Sequence, residues 1–442
     1  MVISNFHEAK SYFESMIPES IPNSKLFGLN RIKALLSKMG NPQNAYATVH
    51  VGGTSGKGST STIIAEILIN AGFKVGLHIS PHLEDIRERE QVNGKLMSES
   101  KFVQLTNYIK KMSEEISRET IYGAPTYFEM LLAIAFQYFK DENVDIAVIE
   151  VGLGGRLDGT NIILPKVAVI TNVGLDHTEI LGDTVEKIAI EKAGIIKYGI
   201  DVVSGVTQSS VVKIIENKSE EQKCKFDLIN RDIFYNIENS EINKNNFNLI
   251  IHDRKINNIE TSLLGEHQIR NIALAVDVIF LLNKHNFYVN EQNIKNAIKN
   301  IHIPGRFEIL KNEPMVILDG AHNQMKIEAL IKTLYNISKG NKVIMIFAAK
   351  KDKNVKEMIS QLSKITSKFY FTIFEATTDF GKRFSYNPQE LVNFTNITSE
   401  VFKNSKDAYE KALVESKSND VICITGSLYL VGELRKYLIN DK

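Results

Sequence analysis

The run Gly53-Thr54-Ser55-Gly56-Lys57-Gly58-Ser59 combines backbone freedom, a mobile cation and hydroxyl groups, which are what phosphate binding requires. Glycines at 52, 53, 56 and 58 let the chain come close to a ligand and turn its N–H groups toward it. Lys57 adds charge, and Ser59 or Thr60 offers a hydroxyl to the magnesium that accompanies nucleotide phosphates. A glycine-rich turn with no ligand is the plainer alternative, but the joint presence of loop, lysine and hydroxyl favours phosphate. The spacing departs from the ordinary Walker pattern, because Gly58 separates Lys57 from Ser59.

Further polar residues stand where apolar runs end. Glu150 closes the run 146–151 and is followed by Gly152-Leu153-Gly154-Gly155-Arg156-Leu157-Asp158. Asp176-His177 follows the run 167–171, and Ser80 follows 74–79. A carboxylate at the carboxyl end of a parallel strand lies where such sheets bind ligands, and a neutral imidazole there can hold a divalent cation. Lys192 comes fifteen residues after His177 on a helix-like segment, 184–196. On residue type alone, Glu150 is equally a surface acid, His177 a loop histidine, Ser80 a turn residue before Pro81, and Lys192 a solvated lysine. Thr126-Tyr127-Phe128-Glu129 reads as a capping box opening an apolar helix. Its aromatic pair and carboxylate also suit a flat heterocycle with amide-like donors.

The elements that must position these groups follow an α/β pattern. A strand over 47–51, the loop and a helix over 59–70 form a first unit, and the runs 74–79, 146–151 and 167–171 alternate with helical segments. That predicts a mostly parallel sheet covered on both faces. Asn-rich segments at 226–229, 233–237 and 247–251 predict a small antiparallel sheet appended to this domain, followed by a helix over 268–282. Ile303-Pro304-Gly305-Arg306 reads as a linker, so the expected domains are 1–302 and 303–442. The second, with strands at 316–318, 343–347, 369–373 and 421–425 and helices beginning near Met325, Val355, Pro388 and Leu428, is expected to be a smaller Rossmann-like α/β domain.

Charge and composition narrow the function classes. The 53 basic and 52 acidic side chains leave a formal charge of +1, so no overall field draws the chain to nucleic acid or an anionic membrane. Cys224 and Cys423 lie outside any paired spacing, which points to reduced thiols in a cytoplasmic setting. The first ten residues lack the apolar run of a signal peptide, and no stretch is long enough to span a bilayer.

The loop resembles the ATP loop of the Mur ligase superfamily, and its extra Gly58 is similar to that of the folylpolyglutamate synthase and dihydrofolate synthase branch. The resemblance covers most of the chain. It implies an ATP- and Mg2+-dependent ligase that adds L-glutamate to a folate or dihydropteroate carboxylate through an acyl phosphate, releasing ADP and phosphate. It implies nucleotide contacts from Thr54, Ser55, Gly56, Lys57, Gly58, Ser59 and Thr60, from Asn271 in His267-Gln268-Ile269-Arg270-Asn271, from Arg306 as the domains close, and from Asp319 at the ribose. Ser59, Ser80, Glu150, His177 and Lys192 match magnesium ligands, with Lys192 converted by carbon dioxide into a carbamate. Lys57, Glu150, His177 and Lys192 form the implied catalytic set. Thr126, Tyr127, Phe128, Glu129, Leu157, Asp158 and Gly159 match the pterin site. Asp352-Lys353-Asn354 differs from the usual Asp-Lys-Asp, so Asn354 is given no role. Small-molecule partners and a monomer are expected. A muramyl ligase of the same superfamily is disfavoured by Gly58 and by 126–129, and a nucleotide-hydrolysing switch by the lack of a basic stripe. A silent nucleotide-binding module is disfavoured by Glu150, His177 and Lys192.

Overall fold

Short apolar runs set eight strands, β1 (Ala47–Gly52), β2 (Val75–His78), β3 (Glu90–Val92), β4 (Lys95–Leu96), β5 (Ile146–Glu150), β6 (Val167–Ile170), β7 (Asp201–Ser204) and β8 (Phe226–Leu228), which form one sheet. Their order is β4-β3-β2-β5-β1-β6-β7-β8, with parallel pairing from β2 through β8 and an antiparallel edge at β3 and β4. The computed structural model describes residues 2–17, 28–240, 244–341, 343–351, 353–378 and 381–440.

Every residue of β5 and β6 is buried, as is β1 after Ala47, so the centre of the sheet is covered on both faces. One cover is the helix Tyr127–Asp141, whose residues from Met130 to Phe136 are all buried in a cluster with Phe13, Phe102 and Phe139. On β2, Gly76 has no side chain because Phe139 occupies the space, its ring lying 2.8 Å from where a Cβ would stand. Parallel β1, β5 and β6 all end at the same edge. That edge therefore carries Gly53, Glu150 and Thr171 side by side.

One expectation is corrected here. The segment 226–229 does not join the small antiparallel sheet; β8 pairs in parallel with β7 at the edge of the large one. The helix Ser209–Glu221 separates the two strands, and a helical crossover returns the chain in the same direction. The small sheet consists instead of β9 (Ile233–Ser240), β10 (Asn245–Ile251) and β11 (Arg254–Thr261), adjacent in chain order. Alternating burial along β10 gives it one packed face.

The chain divides into two compact units, the first comprising 1–239, 246–262 and 268–301, and the second 240–245, 263–267 and 302–442. In the second, β12 (Glu308–Asn312), β13 (Met315–Leu318), β14 (Val343–Phe347), β15 (Thr366–Phe371), β18 (Ser399–Val401) and β19 (Val421–Thr425) form a sheet ordered β12-β13-β19-β14-β15-β18, while β16 (Glu375–Thr378) and β17 (Gly381–Phe384) pair as a hairpin. Within the six-stranded sheet only β12 runs antiparallel to its neighbour. Helices start at Gln324, Val355, Pro388 and Leu428, at or next to the expected positions, and a further helix, Ser405–Glu415, was not expected. Glu308 anchors the start of this unit: burial alone would raise its carboxyl, but hydrogen bonds from His302, Arg435 and the Gly305 N–H hold it at about 2. Among the described residues, no helix is long and apolar enough to cross a membrane.

Candidate active site

The phosphate-type loop lies between β1 and the helix Lys57–Asn70. Gly56 caps that helix with φ +80° and no side chain, so the cap adds no hydrogen bond from its own residue. The first-turn N–H groups of any helix lack intrahelical acceptors, and together they favour an anion. Ser55 Oγ and Thr60 Oγ1 are buried without a hydrogen-bond partner among the described residues, and Ser59 is buried beside them.

Residues after β6 fix the loop's shape. The Asn172 side-chain oxygen accepts the N–H groups of Thr54 and Ser55 at 3.2 and 2.8 Å. Thr171 Oγ1 donates to the Ser55 carbonyl at 2.7 Å, and the Gly174 N–H donates to Thr54 Oγ1 at 3.0 Å. Gly53 has φ +144°, and a Cβ there would stand 1.9 Å from Thr171 Oγ1. Gly53→Ala is therefore expected to combine backbone strain with a steric clash, costing about 3 kcal/mol or more of stability and weakening nucleotide binding. Urea denaturation and nucleotide titration measure both, and wild-type values would show that the loop tolerates a side chain.

Glu150, at the end of β5, is only 4% exposed, which removes the reading of a surface acid. Its Oε2 accepts the Ser80 N–H at 2.9 Å, and Lys57 Nζ lies 4.0 Å from Oε1. A Cβ on Gly58 would come within 3.4 Å of Oε2. The residue that breaks the Walker spacing is thus the one facing the carboxylate, and its lack of a side chain lets Glu150 approach the helix start.

Lys192 is likewise 4% exposed, not solvated. Thr184 caps the helix Val185–Ala193 that carries it, and Nζ donates to the Gly53 carbonyl at 2.8 Å. Gly155 makes this possible, since a Cβ there would meet the Glu191 carbonyl at 2.7 Å and Lys192 Cα at 3.0 Å. Burial, followed by the charge of Lys57, lowers the Lys192 amine to about 7 against the opposing pull of Asp176 and Asp158. Near neutral pH a large share of it is therefore an uncharged nucleophile. His177 begins the short helix Thr178–Leu181 with φ +50°, within 4.0 Å of Asp176 and 3.9 Å of Glu179.

The segments expected at the pterin divide between structural and open roles. Thr126 and Glu129 form the capping box, and Glu129 is also paired with Arg31 at 3.0 Å in a buried setting. Tyr127 is buried against Phe13, with the Arg89 guanidinium over its ring. Phe128 packs on the glycine loop, leaving no room for a Cβ at Gly152, and its ring centroid lies 6.0 Å from that of His78. Asp158 caps the turn Gly159–Ile162 and accepts N–H groups from Leu153 and Thr160; burial still raises its carboxyl above the usual aspartate value. Leu157 is exposed.

Asn271 lies against the loop, its Oδ1 2.6 Å from where a Cβ on Gly56 would stand, and Gln268 orients its amide at 3.0 Å. In the second unit, Asp319 accepts the N–H groups of Phe307 and Ala321, each at 2.9 Å. Burial raises its carboxyl while Arg306 pulls it down. Asp352 lies outside the described residues.

The chain matches two family descriptions, the Mur ligase middle domain over residues 51–279 and the Mur ligase glutamate ligase domain over 305–428. It is 36% identical over 416 residues to a dihydrofolate synthase/folylpolyglutamate synthase of Bacillus subtilis, covering 93% of this chain and 95% of that one. This chain belongs to the folylpolyglutamate/dihydrofolate synthase family of Mur ligases. A folylpolyglutamate synthase from Thermotoga maritima superposes on this Mur ligase with a TM-score of 0.84 at 32% identity, covering 99% of this chain and 97% of that one. FolC of E. coli in complex with DHPP and ADP gives 0.87 at 26% identity, with coverage of 100% and 99%. The large mostly parallel sheet, the small antiparallel sheet and the carboxyl-terminal α/β unit are the architecture of such synthases.

Within this Mur ligase, Lys57, Gly58, Ser80, Glu150, Lys192 and Asn271 come together around one loop. Thr171, Asn172 and Gly174 complete it and escaped the sequence reading. Their one signal was position, at and just past the end of the 167–171 run.

Proposed function

We propose that this protein is an ATP-dependent ligase that joins L-glutamate to the carboxylate of a folate or dihydropteroate through an acyl phosphate, releasing ADP and phosphate. The observation that carries this reading is the gathering of Lys57, Glu150 and Lys192 around one phosphate-type loop, in a chain that aligns with the named synthases along nearly its whole length.

A carboxylate resists attack by an amine until one of its oxygens becomes a leaving group. Transfer of the terminal phosphoryl group to that oxygen does this, and the glutamate amine then displaces phosphate. In this proposal Lys57 and the first turn of its helix neutralise charge on the transferring group, and the buried hydroxyls of Ser55 and Thr60, without a partner among the described residues, supply polar contacts to the nucleotide. Asn271 holds the loop side of the nucleotide.

We assign Ser59, Ser80, Glu150, His177 and Lys192 to magnesium. The donor set fits, since a buried carboxylate and hydroxyl groups stand beside the loop. Magnesium, when bound, would neutralise phosphate charge. Lys192 joins the set as a carbamate: its uncharged amine bonds to the carbon of carbon dioxide and gives up a proton to solvent, turning a neutral group into an anion. An amine held near 7 supplies the reactive form. Phe128 and the glycine loop at 152–159 are assigned to the pterin. A cytoplasmic monomer divided at 302/303 completes the proposal.

The test is purified protein with ATP, magnesium and L-glutamate against dihydropteroate, tetrahydrofolate and a muramyl precursor, read by product mass. A glutamylated pterin with matching ADP supports the proposal. Product from the muramyl acceptor alone, or ADP without any ligated product, overturns it.

A further inference from the structure

Asp277 lies within the helix Glu266–Leu282 and is 1% exposed, yet neither of its carboxylate oxygens has a hydrogen-bond partner among the described residues. An uncompensated buried carboxylate is costly, so one so placed calls for a cation or a proton. Asp227 in β8, buried to 2% exposure, and His252, in the turn between β10 and β11, face the same point. One donor atom from each of the three lies within 4.8 Å of the others, and His252 Nε2 is already 3.0 Å from Asp227 Oδ2. Tetrahedral donors around a metal about 2.1 Å away stand about 3.4 Å apart, so the trio is close to a coordinating arrangement.

We propose that Asp227, His252 and Asp277 form a second, structural site for a divalent transition metal such as zinc, distinct from the magnesium site assigned at the loop. Two carboxylates and one imidazole suit that class of ion, and partial exposure at His252 leaves room for a water ligand. Lys225 Nζ stands 2.9 Å from Asp227 and 3.2 Å from His252 and acts as a competing cation. Its side chain is 45% exposed, so it can swing into solvent as the metal enters. The bound ion ties three separate elements together: the edge of the large sheet, a turn of the small sheet and the helix Glu266–Leu282. Without it, burial and the neighbouring Asp227 push the Asp277 carboxyl well up.

The experiment uses chelator-treated full-length protein, free of nucleotide and magnesium. Cobalt(II) is titrated and followed by its visible absorption, and zinc is then added in thermal melts. One cobalt per chain and a raised melting midpoint are expected. His252→Gly suits the φ of +51° at that turn and keeps the fold, while Asp277→Asn keeps the volume; each is expected to weaken cobalt binding more than tenfold. Lys225→Met, lacking the competing ammonium, is expected to bind more tightly. The absence of a cobalt band, a band intact in both His252→Gly and Asp277→Asn, or one abolished only by Glu150→Gln would overturn the site, leaving Asp277 a protonated core acid.

Discussion

Lys57→Ala is expected to abolish acyl phosphate formation, lowering turnover by about a thousandfold or more while leaving the fold intact. Lys57 opens its helix; its Nζ is 4.0 Å from the buried Glu150 carboxylate and its side chain is 18% exposed. Truncation therefore removes a charge from the place where phosphoryl charge develops. The loss should fall on kcat more than on acceptor KM, because the lysine serves the transferring group and not the pterin. Rapid-quench measurement of ADP and acyl phosphate reads it. Unchanged product formation from ATP would count against the role given to the loop.

Lys192→Ala is the second large loss, and it separates chemistry from folding. Ligation should vanish while the protein remains folded, and Lys192→Met, which fills the vacated volume, should match or exceed wild-type stability near neutral pH. The sign follows from linkage. The folded amine titrates near 7 and the unfolded one near 10.5, so between those values the unfolded chain binds more protons and the wild type gains stability as pH rises. Lys192→Met lacks that slope. Denaturation midpoints between pH 6 and 9 test this, and parallel curves for the two proteins would contradict the lowered value. Removing carbon dioxide and bicarbonate should slow the wild type, and adding bicarbonate should restore it. Wild-type turnover by Lys192→Ala would remove the carbamate.

The loop was legible because its residue types act locally. The expected strand and helix, 47–51 and 59–70, compare with Ala47–Gly52 and Lys57–Asn70, and the positive φ at 53 and 56 favours glycine. Gly58 was visible as an irregularity, but its reason was not: the carboxylate it makes room for is supplied by β5, far along the chain. The clamp formed by Thr171 and Asn172 was hidden for the same cause, since the contacts span more than a hundred residues. Glu129 satisfies the local capping box and a pair with Arg31 from 98 residues away, and only the first is written in the pattern. Strand direction failed at 226–229 because an apolar alternation carries no sign of parallel or antiparallel pairing; the preceding helix, Ser209–Glu221, was the information that decides it.

The most direct test is isotopic. A pterin acceptor labelled with heavy oxygen in its reacting carboxylate is turned over with ATP and L-glutamate, and the released inorganic phosphate is weighed by mass spectrometry. Activation through an acyl phosphate predicts one heavy oxygen in the phosphate for each amide formed, with none when glutamate and product are absent. Phosphate released without label alongside glutamylated product would contradict it.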